Sequence, residues 1–383
     1  MALTDTTSLL DTPLAEVHRA AGARMGGWFG CALPDDFGDV REEQRFLNES
    51  IGLIDETYRA YLSFSGPDRV RYLNAILTNN VKELAIGSGN TSLLLNPQGR
   101  ILAELQVFAL PDRLFCVSFA MIRARLVGWL EKYIIMDDVT LTDESDAWGT
   151  LALEGPKVGD AVRELTSVDF GVLGDMTCMD VAVRHAERGR SAIACRVVRV
   201  SAVGAEFLAA PKDLLALWKI LADTAARAGG GAVGYGALSA QRLVQGVAWF
   251  GYDFGEKQIP HEAGLQDSHI SYTKGCYTGQ EIVERVRSRG QVNRRRVGLR
   301  FEVGADVEGG GVGVAGAEVP AGGAVVMHGG VEAGYITRAA RSYFPAAVLA
   351  MAYLRKEAAA VGTVVSCGER LATVVELPLG GAT

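Results

Sequence analysis

The sequence predicts an α+β protein with two related antiparallel units, followed by a small C-terminal β-barrel or sandwich. Three observations support this fold class. Residues 91–135 are predicted to form a strand, a turn, two further strands and a helix in that order, which is typical of antiparallel α+β domains. A strand that ends in a Gly-Pro turn occurs twice. After residue 304 the chain is dense in glycine and valine, with short alternating segments between glycine turns.

The first unit, residues 1–147, opens with a predicted helix. Apolar residues recur at helical spacing near its start, so residues 12–50 are interpreted as helical. Residues 59–66 alternate polar and apolar side chains and predict a strand. After a Gly-Pro turn, we expect Asp68 to cap a helix that continues through Leu77.

The same unit continues with three more strands. Residues 91–95 and 101–108 predict two strands around Asn96-Pro97-Gln98-Gly99, a tetrad typical of tight turns. Residues 114–119 predict a further strand, and 121–135 an amphipathic helix.

The second unit, residues 148–292, begins with a segment that resembles part of the first. Leu151-Ala-Leu-Glu-Gly-Pro156 resembles Leu62-Ser-Phe-Ser-Gly-Pro67, and helix-like stretches follow both. Either the two units are an internal repeat or a Gly-Pro turn has recurred by chance. Residues 194–209 predict strands, and 211–228 predict a helix with an apolar stripe. The third unit, residues 293–383, is the predicted barrel or sandwich.

Composition narrows the class of protein. The net charge of −7 argues against nucleic-acid binding by the whole chain. No stretch approaches the roughly 20 apolar residues of a membrane span, and the N-terminus has no basic region before an apolar run. Six cysteines stand singly, without a Cys-x-x-Cys pair, so we expect reduced thiols in a cytoplasm and no local zinc or iron–sulfur motif.

One segment, Lys274-Gly-Cys-Tyr-Thr-Gly-Gln-Glu281, combines a thiol with a cation and two glycines. A neighbouring cation lowers a thiol's pKa because it stabilises the thiolate. Residues after Gly279 look like the start of a helix, and a helix N-terminus favours the thiolate in the same way. Cys276 is therefore a candidate reactive thiol. The alternative is a buried structural cysteine.

An arginine-rich stretch follows this segment. Residues 274–300 carry a local charge of +6, which leaves −13 for the rest of the chain. If the chain is extended there, Arg285, Arg287 and Arg289 line up on one face. Such a face suits a polyanion, either a folate polyglutamate tail or RNA bound through Arg285–Arg296, but it is equally compatible with a solvated surface. Few aromatic residues interleave, which weakens the RNA interpretation.

The Lys274–Glu281 segment, preceded by Pro260-His-Glu-Ala-Gly-Leu265, resembles the YgfZ family of folate-binding proteins. The turn Leu94-Leu-Asn-Pro-Gln-Gly-Arg100 also resembles that family. The resemblance implies folate binding and a role in assembly or repair of iron–sulfur proteins.

Most of residues 12–300 also resemble the glycine-cleavage T-protein, an aminomethyltransferase. The matching segments are Thr12–His18, Gly26–Trp28, Ile54-Asp55, Ser65–Asp68 and Leu77–Val81. This resemblance implies a three-domain aminomethyltransferase-like fold in which two related α+β domains and a C-terminal β-barrel surround a central cavity for tetrahydrofolate.

The T-protein resemblance also implies roles for single residues. Glu206 matches the glutamate that hydrogen-bonds the pterin, and Arg242 matches an arginine near the folate. The family's Asp-Asp pair reads Ala103-Glu104 here, so Glu104 is the candidate for proton transfer at the folate nitrogen. Departures also occur at Thr57-Tyr58-Arg59 and Leu238-Ser239. The candidate residues are Cys276 and Glu104 for catalysis, and Glu206, Arg242, Tyr58, Lys274 and Tyr277 for the cofactor.

Two principal functions follow. The first is a tetrahydrofolate-binding protein that supports iron–sulfur enzymes. The second is a tetrahydrofolate-dependent aminomethyl- or methyltransferase or demethylase. An RNA-binding module on the arginine-rich stretch is a third hypothesis.

Overall fold

The computed structural model describes residues 9–184, 192–290, 292–302, 314 and 316–379. The expectation that the N-terminus has no leader falls on residues outside this set. Within these ranges no helix combines the length and apolarity needed to cross a membrane.

The N-terminal segment is a hairpin between two helices, so the prediction of one helix over residues 12–50 is wrong. Its elements are α1 (Ala15–Ala20), α2 (Val40–Glu49), and the strands β1 (Leu10–Asp11), β2 (Arg24–Trp28) and β3 (Cys31–Asp36). Gly30 has a φ of +81° and closes the β2–β3 turn, a conformation that favours glycine. Asp39 caps α2 by accepting hydrogen bonds from the amides of Arg41 and Glu42.

The first sheet confirms the predicted strands of the first unit. The elements here are β4 (Gly52–Asp55), β5 (Arg59–Ser65), α3 (Arg69–Ile76), β6 (Gly89–Leu95), β7 (Ile101–Ala109), β8 (Leu114–Phe119), α4 (Arg123–Glu131) and β9 (Thr140–Asp143). Five of these strands pair antiparallel in the order β6-β7-β8-β5-β9. Asp68 precedes α3 but does not cap it with its side chain, because its carboxylate accepts from the Asp138 amide instead.

The second sheet includes a strand from the first unit. Its other elements are β10 (Gly149–Glu154), α5 (Val158–Thr166), β11 (Thr177–Val183), β12 (Ile193–Ser201), β13 (Gly204–Ala209), α6 (Leu214–Arg227) and β14 (Gly231–Ala232). The strand order is β11-β12-β13-β10-β4-β14. Here β4 pairs antiparallel with β10, so the chain crosses from this sheet to the first sheet between β4 and β5.

The two similar Gly-Pro segments occupy equivalent places. Gly66 ends β5 with a φ of +95°, and Gly155 follows β10 with a φ of +134°. A Cβ at either glycine would collide with a backbone carbonyl, of Asp138 and Ser50 respectively. A helix follows each turn. The shared constraint supports a repeat rather than a chance recurrence.

The two sheets face each other, and helices cover their outer faces. On the outer side of the second sheet, Phe207 packs with Leu221 of α6. Between the sheets, Phe115 packs with Val198, and the Tyr61 hydroxyl lies 2.5 Å from Thr150 Oγ1. Both inner faces also carry polar side chains, among them Gln106 on the first sheet and Glu206 on the second.

The remaining elements are α7 (Tyr235–Val244), α8 (Pro260–Ala263), α9 (Gln280–Arg289) and six barrel strands. These are β15 (Arg294–Phe301), β16 (Val325–His328), β17 (Val331–Tyr343), β18 (Ala346–Arg355), β19 (Val364–Cys367) and β20 (Arg370–Val375). They close in the order β15-β18-β17-β16-β19-β20, so the predicted barrel is confirmed and the sandwich is excluded. Closure removes the exposed sheet edges.

Candidate functional site

The inner face of the first sheet carries Glu104. Strand register places Gln106 opposite Val117, and Phe119 opposite Arg59. Side chains two residues apart share one face of a strand, so Glu104 lies on the face of Gln106, in the row that contains Phe119 and Arg59. Neighbouring strands are about 4.8 Å apart, which puts Glu104 and Arg59 roughly 10 Å apart across this face.

Three acids and two arginines form a cluster where the two sheets meet α7. They are Glu56 between β4 and β5, Arg59 on β5, Glu154 on β10, Glu206 on β13 and Arg242 on α7. Arg59 Nη2 lies 2.9 Å from Glu56 Oε2 and 3.3 Å from Glu206 Oε1. Arg242 donates to both carboxylate oxygens of Glu154, at 2.8 Å to Oε2. Glu206 and Glu56 are buried, so water contributes little to the solvation of their carboxyl groups. The cluster thus has three acidic side chains but only two guanidinium groups to neutralise them.

Glu206 is the acid without a cation of its own. Burial, together with the nearby Glu56 carboxylate, raises the pKa of Glu206 to about 8, against the opposing effect of Arg59. Its Oε2 atom is buried and has no hydrogen-bond partner among the described residues. A buried carboxyl oxygen without a partner is costly, so Glu206 is poised to accept a hydrogen bond from a ligand.

Tyr58 forms the aromatic border of this cluster. Its ring stacks on Phe29 with centroids 4.3 Å apart, and the Arg59 guanidinium lies 4.9 Å from its centroid. Burial raises the pKa of Tyr58 well above its usual value, so the hydroxyl stays protonated. Tyr58 thus shields the Arg59–Glu206 pair from water.

Glu104 is paired with a histidine that the sequence prediction did not associate with it. Glu104 Oε1 lies 2.9 Å from His269 Nε2, and His269 Nδ1 lies 2.7 Å from Ser268 Oγ. The Glu104 side chain is 20% exposed and that of His269 is 11% exposed. The carboxylate therefore remains reachable while its partner holds it in place.

Lys274 does not pair with the Cys276 thiol as expected. Its ammonium donates to the carbonyls of Asn74 and Leu77 at 2.5 Å each, and of Asn79 at 3.0 Å. These carbonyls lie at and just beyond the end of α3, so the lysine caps that helix. Burial lowers the pKa of Lys274 to about 8.

The Cys276 thiol itself is exposed, which contradicts the buried structural alternative. The next residue, Tyr277, is buried in the core of the first unit, and its hydroxyl has no described partner. Gly279 has a φ of +82° and precedes α9, as the helix prediction after this segment required. In the described part of the chain, no cluster of His, Cys, Asp and Glu has the arrangement of a metal site.

The arginine-rich stretch is not the extended face that we expected. Arg285, Arg287 and Arg289 all belong to α9, and the side chains of Arg285 and Arg287, two residues apart on a helix, point in different directions. Arg285 pairs with Glu281 at 2.7 Å, and Arg287 stacks 4.1 Å from the centroid of the Tyr272 ring. Arg296 is largely buried and donates to the Ala263 and Gly246 carbonyls. Arg285, Arg287 and Arg296 thus already have partners within the fold, so the structure does not favour the RNA hypothesis.

Four members of the site were missed from the sequence: Arg59, Glu56, Glu154 and His269. The first lies in the Thr57-Tyr58-Arg59 departure from the T-protein pattern, which was a usable signal. Glu56 stands three residues before Arg59, but that spacing alone does not indicate a buried pair. No local pattern indicated Glu154, because its partner Arg242 lies on α7.

The family models match nearly the whole chain. The GCVT N-terminal domain matches residues 14–269, and the glycine cleavage T-protein C-terminal barrel domain matches residues 294–379. The chain belongs to the glycine cleavage T-protein family. These matches show the T-protein family, whereas the YgfZ subgroup rests on the resemblance of three segments: Lys274–Glu281, Pro260–Leu265 and Leu94–Arg100.

Relatives within the T-protein family align with most of the chain. An aminomethyltransferase of Rubrobacter xylanophilus is 27% identical over 91% of the chain and 88% of its own length. One of Streptomyces avermitilis is 27% identical over 92% and 91%. The glycine cleavage system aminomethyltransferase T of Bartonella henselae is 23% identical, with a TM-score of 0.80 over 97% of this chain and 98% of that structure, which confirms the predicted fold.

Proposed function

We propose that this T-protein family member binds tetrahydrofolate between its two facing sheets and transfers a one-carbon group, aminomethyl or methyl, to or from it. Aminomethyltransferases of the glycine cleavage system use tetrahydrofolate, and this chain belongs to the same family, which supports tetrahydrofolate as its cofactor. The relatives named aminomethyltransferase favour the transferase over the iron–sulfur accessory role.

The observation that carries the proposal is the unpartnered Glu206 oxygen. The aminopterin ring presents adjacent N–H donors, and a carboxylate accepts two such bonds. Glu206 Oε2 is buried and lacks a donor, which fits that edge of the cofactor. The buried Gln106 amide oxygen, on the inner face of the first sheet, also lacks a described donor and fits a ligand rich in N–H groups.

Glu104 is the candidate acid–base group. When bound, tetrahydrofolate supplies the nitrogen that carries the one-carbon unit. Glu104 stands about 10 Å from Arg59 by strand spacing, so a ligand that contacts both Glu206 and Glu104 must be elongated. A carboxylate held at that end can take up or return a proton at the reacting nitrogen. Where the T-protein has an Asp-Asp pair, this chain has Ala103-Glu104, so Glu104 is the one acid at these two positions.

Binding and turnover test the proposal separately. Calorimetry should show stoichiometric tetrahydrofolate binding by the wild type and an affinity lower by about 10- to 100-fold in Glu206→Gln, because one acceptor of a charge-assisted pair becomes a donor. Glu357→Gln, an exposed barrel residue, is the matched control and should bind normally.

Turnover is measured with purified protein, tetrahydrofolate and a panel of aminomethyl and methyl donors. Glu104→Ala should bind tetrahydrofolate but lose product formation by roughly 100-fold or more. Wild-type protein that binds no tetrahydrofolate would overturn the proposal. Binding without turnover on any donor would leave a folate-binding accessory protein.

A second function is favoured by the exposed Cys276 thiol in the YgfZ-like segment. We propose that, in this case, the folate-bound protein supports iron–sulfur enzymes through that thiol. Deletion of the gene should lower iron–sulfur enzyme activities under oxidative stress, and Cys276→Ala should not restore them. Full restoration by Cys276→Ala, with Cys367→Ala as the control for loss of a thiol, would contradict this role.

A further inference from the structure

We propose that His269 is a positioning and proton-relay residue for Glu104, and that Ser268 connects the imidazole to solvent. The inference rests on the proposed function, because it assigns a route for the proton that Glu104 handles.

The three groups form a continuous chain. Glu104 Oε1 lies 2.9 Å from one imidazole nitrogen, and Ser268 Oγ lies 2.7 Å from the other. Glu104 comes from the inner face of the first sheet, whereas Ser268 is exposed at the surface. The His269 imidazole thus links the partly exposed Glu104 carboxylate to a hydroxyl at the surface.

Hydrogen bonds hold the backbone of His269, and contacts at both ring nitrogens hold the imidazole. The His269 amide donates to the Leu265 carbonyl at 3.0 Å, and the His269 carbonyl accepts from Thr78 Oγ1 at 2.6 Å. Asn79 Nδ2 lies 3.4 Å from the Ser268 carbonyl. The carbonyls of Ser268 and His269 therefore both accept hydrogen bonds from the segment between α3 and β6.

Few charged groups surround the relay in the part of the chain that the structure describes. Glu104 on β7 is the ionic partner of the imidazole. Asp267 precedes Ser268, and its carboxylate accepts a hydrogen bond from the side-chain amide of Gln266 at 3.0 Å. Lys274 is held by the carbonyls at the end of α3. Among the residues that the structure describes, no lysine or arginine forms an ion pair with the Glu104 carboxylate.

The proton path balances without any redox partner. In the outward direction, Glu104 protonated at Oε1 gives that proton to Nε2 of a neutral His269 that carries its own proton on Nδ1. The imidazolium then gives the Nδ1 proton to Ser268 Oγ while the Ser268 hydroxyl proton passes to water, which leaves Glu104 as a carboxylate and His269 neutral with its proton on Nε2. The inward direction runs the same steps in reverse and takes a proton from water to Glu104. One outward and one inward transfer together restore both Glu104 and the imidazole tautomer.

The contacts can be tested without turnover. In ¹⁵N spectra of folate-free protein, Glu104→Gln should change the His269 Nε2 resonance, and Ser268→Ala should change Nδ1 of the same ring. The control His328→Gln removes a partly exposed barrel histidine and should leave both resonances in place. Resonances that stay unchanged in both relay variants would overturn the assignment, whether or not the wild type has transferase activity.

The activity arm separates a relay from simple packing. His269→Gln should lower kcat by about 100-fold, leave tetrahydrofolate affinity unchanged and alter the pH profile of kcat. A fall in affinity with an unchanged pH profile would mean that His269 only supports the fold, and would overturn the relay. Loss of turnover in the wild type itself would contradict the proposed function, while the spectra would still decide the contacts.

Discussion

At the scale of single residues, Glu206 differs from an ordinary buried glutamate because its neighbourhood has three acids for two cations. Arg59 is shared with Glu56, and Arg242 is committed to Glu154. The pKa of Glu206, raised to about 8 by burial, means that the free protein holds this group mainly protonated at neutral pH. Hydrogen-bond donors on a ligand favour the ionised form.

Tetrahydrofolate binding should therefore be linked to proton release. Below about pH 8 the free carboxyl group must lose its proton to accept two N–H bonds, so affinity should rise with pH and level off above about 8. The limiting slope is about tenfold per pH unit for one proton. Calorimetry in buffers of different ionisation enthalpy measures the release. Glu206→Gln should show neither the slope nor the proton, and a wild-type affinity that falls between pH 6 and 8 would contradict the linkage.

At the scale of elements, the C-terminus of helix α3 is capped by the side chain of a lysine nearly two hundred residues away in the sequence. The Lys274 ammonium satisfies three carbonyls that the end of a helix would otherwise leave to water. The first residue of the YgfZ-like motif thus has a structural explanation, whereas its exposed cysteine does not.

Lys274→Met should destabilise the protein by about 1–3 kcal/mol, because the apolar chain fills the same space but leaves three carbonyls unbonded. Denaturant unfolding measures the loss, and Lys212→Met on the surface is the control. If the lysine contacts the cofactor instead, stability should remain near that of the wild type while tetrahydrofolate affinity falls.

At the scale of the whole molecule, a buried ion pair attaches the barrel to the rest of the chain. Arg338 of β17 and Asp253 are 4% and 0% exposed, with Nη2 to Oδ2 at 2.8 Å. Asp253 also accepts from the Trp249 amide, and Arg338 also donates to the Ser239 carbonyl. Removal of one partner leaves a buried charge uncompensated.

Arg338→Gln should therefore cost about 3–5 kcal/mol of unfolding free energy. The exposed Arg300→Gln in the same barrel should stay within about 0.5 kcal/mol. Chemical denaturation followed by tryptophan fluorescence provides the comparison. Equal stability of the two variants would show that the pair does not hold the barrel in place.

The sequence predicted those features that depend on neighbouring residues. Strand β7, the Asn96–Gly99 turn and helix α6 follow from local alternation, turn chemistry and an apolar stripe. The hairpin β2–β3 was missed because its strands are short and its glycines are compatible with several conformations. The Arg59–Glu206 and Glu104–His269 pairs join residues about 150 apart, which no periodicity in one sequence can reveal.

The exchange of β4 into the second sheet has a consequence for synthesis of the chain. When a ribosome has delivered only the first 147 residues, β5 to β9 can pair with one another, but β4 has no β10 to join. Its buried Leu53 and Ile54 then remain in contact with water, on an open strand edge of the kind that aggregates. The nascent first unit should consequently depend on chaperones until roughly residue 154 has emerged, and a fragment truncated at residue 147 should be recovered mainly in the insoluble fraction.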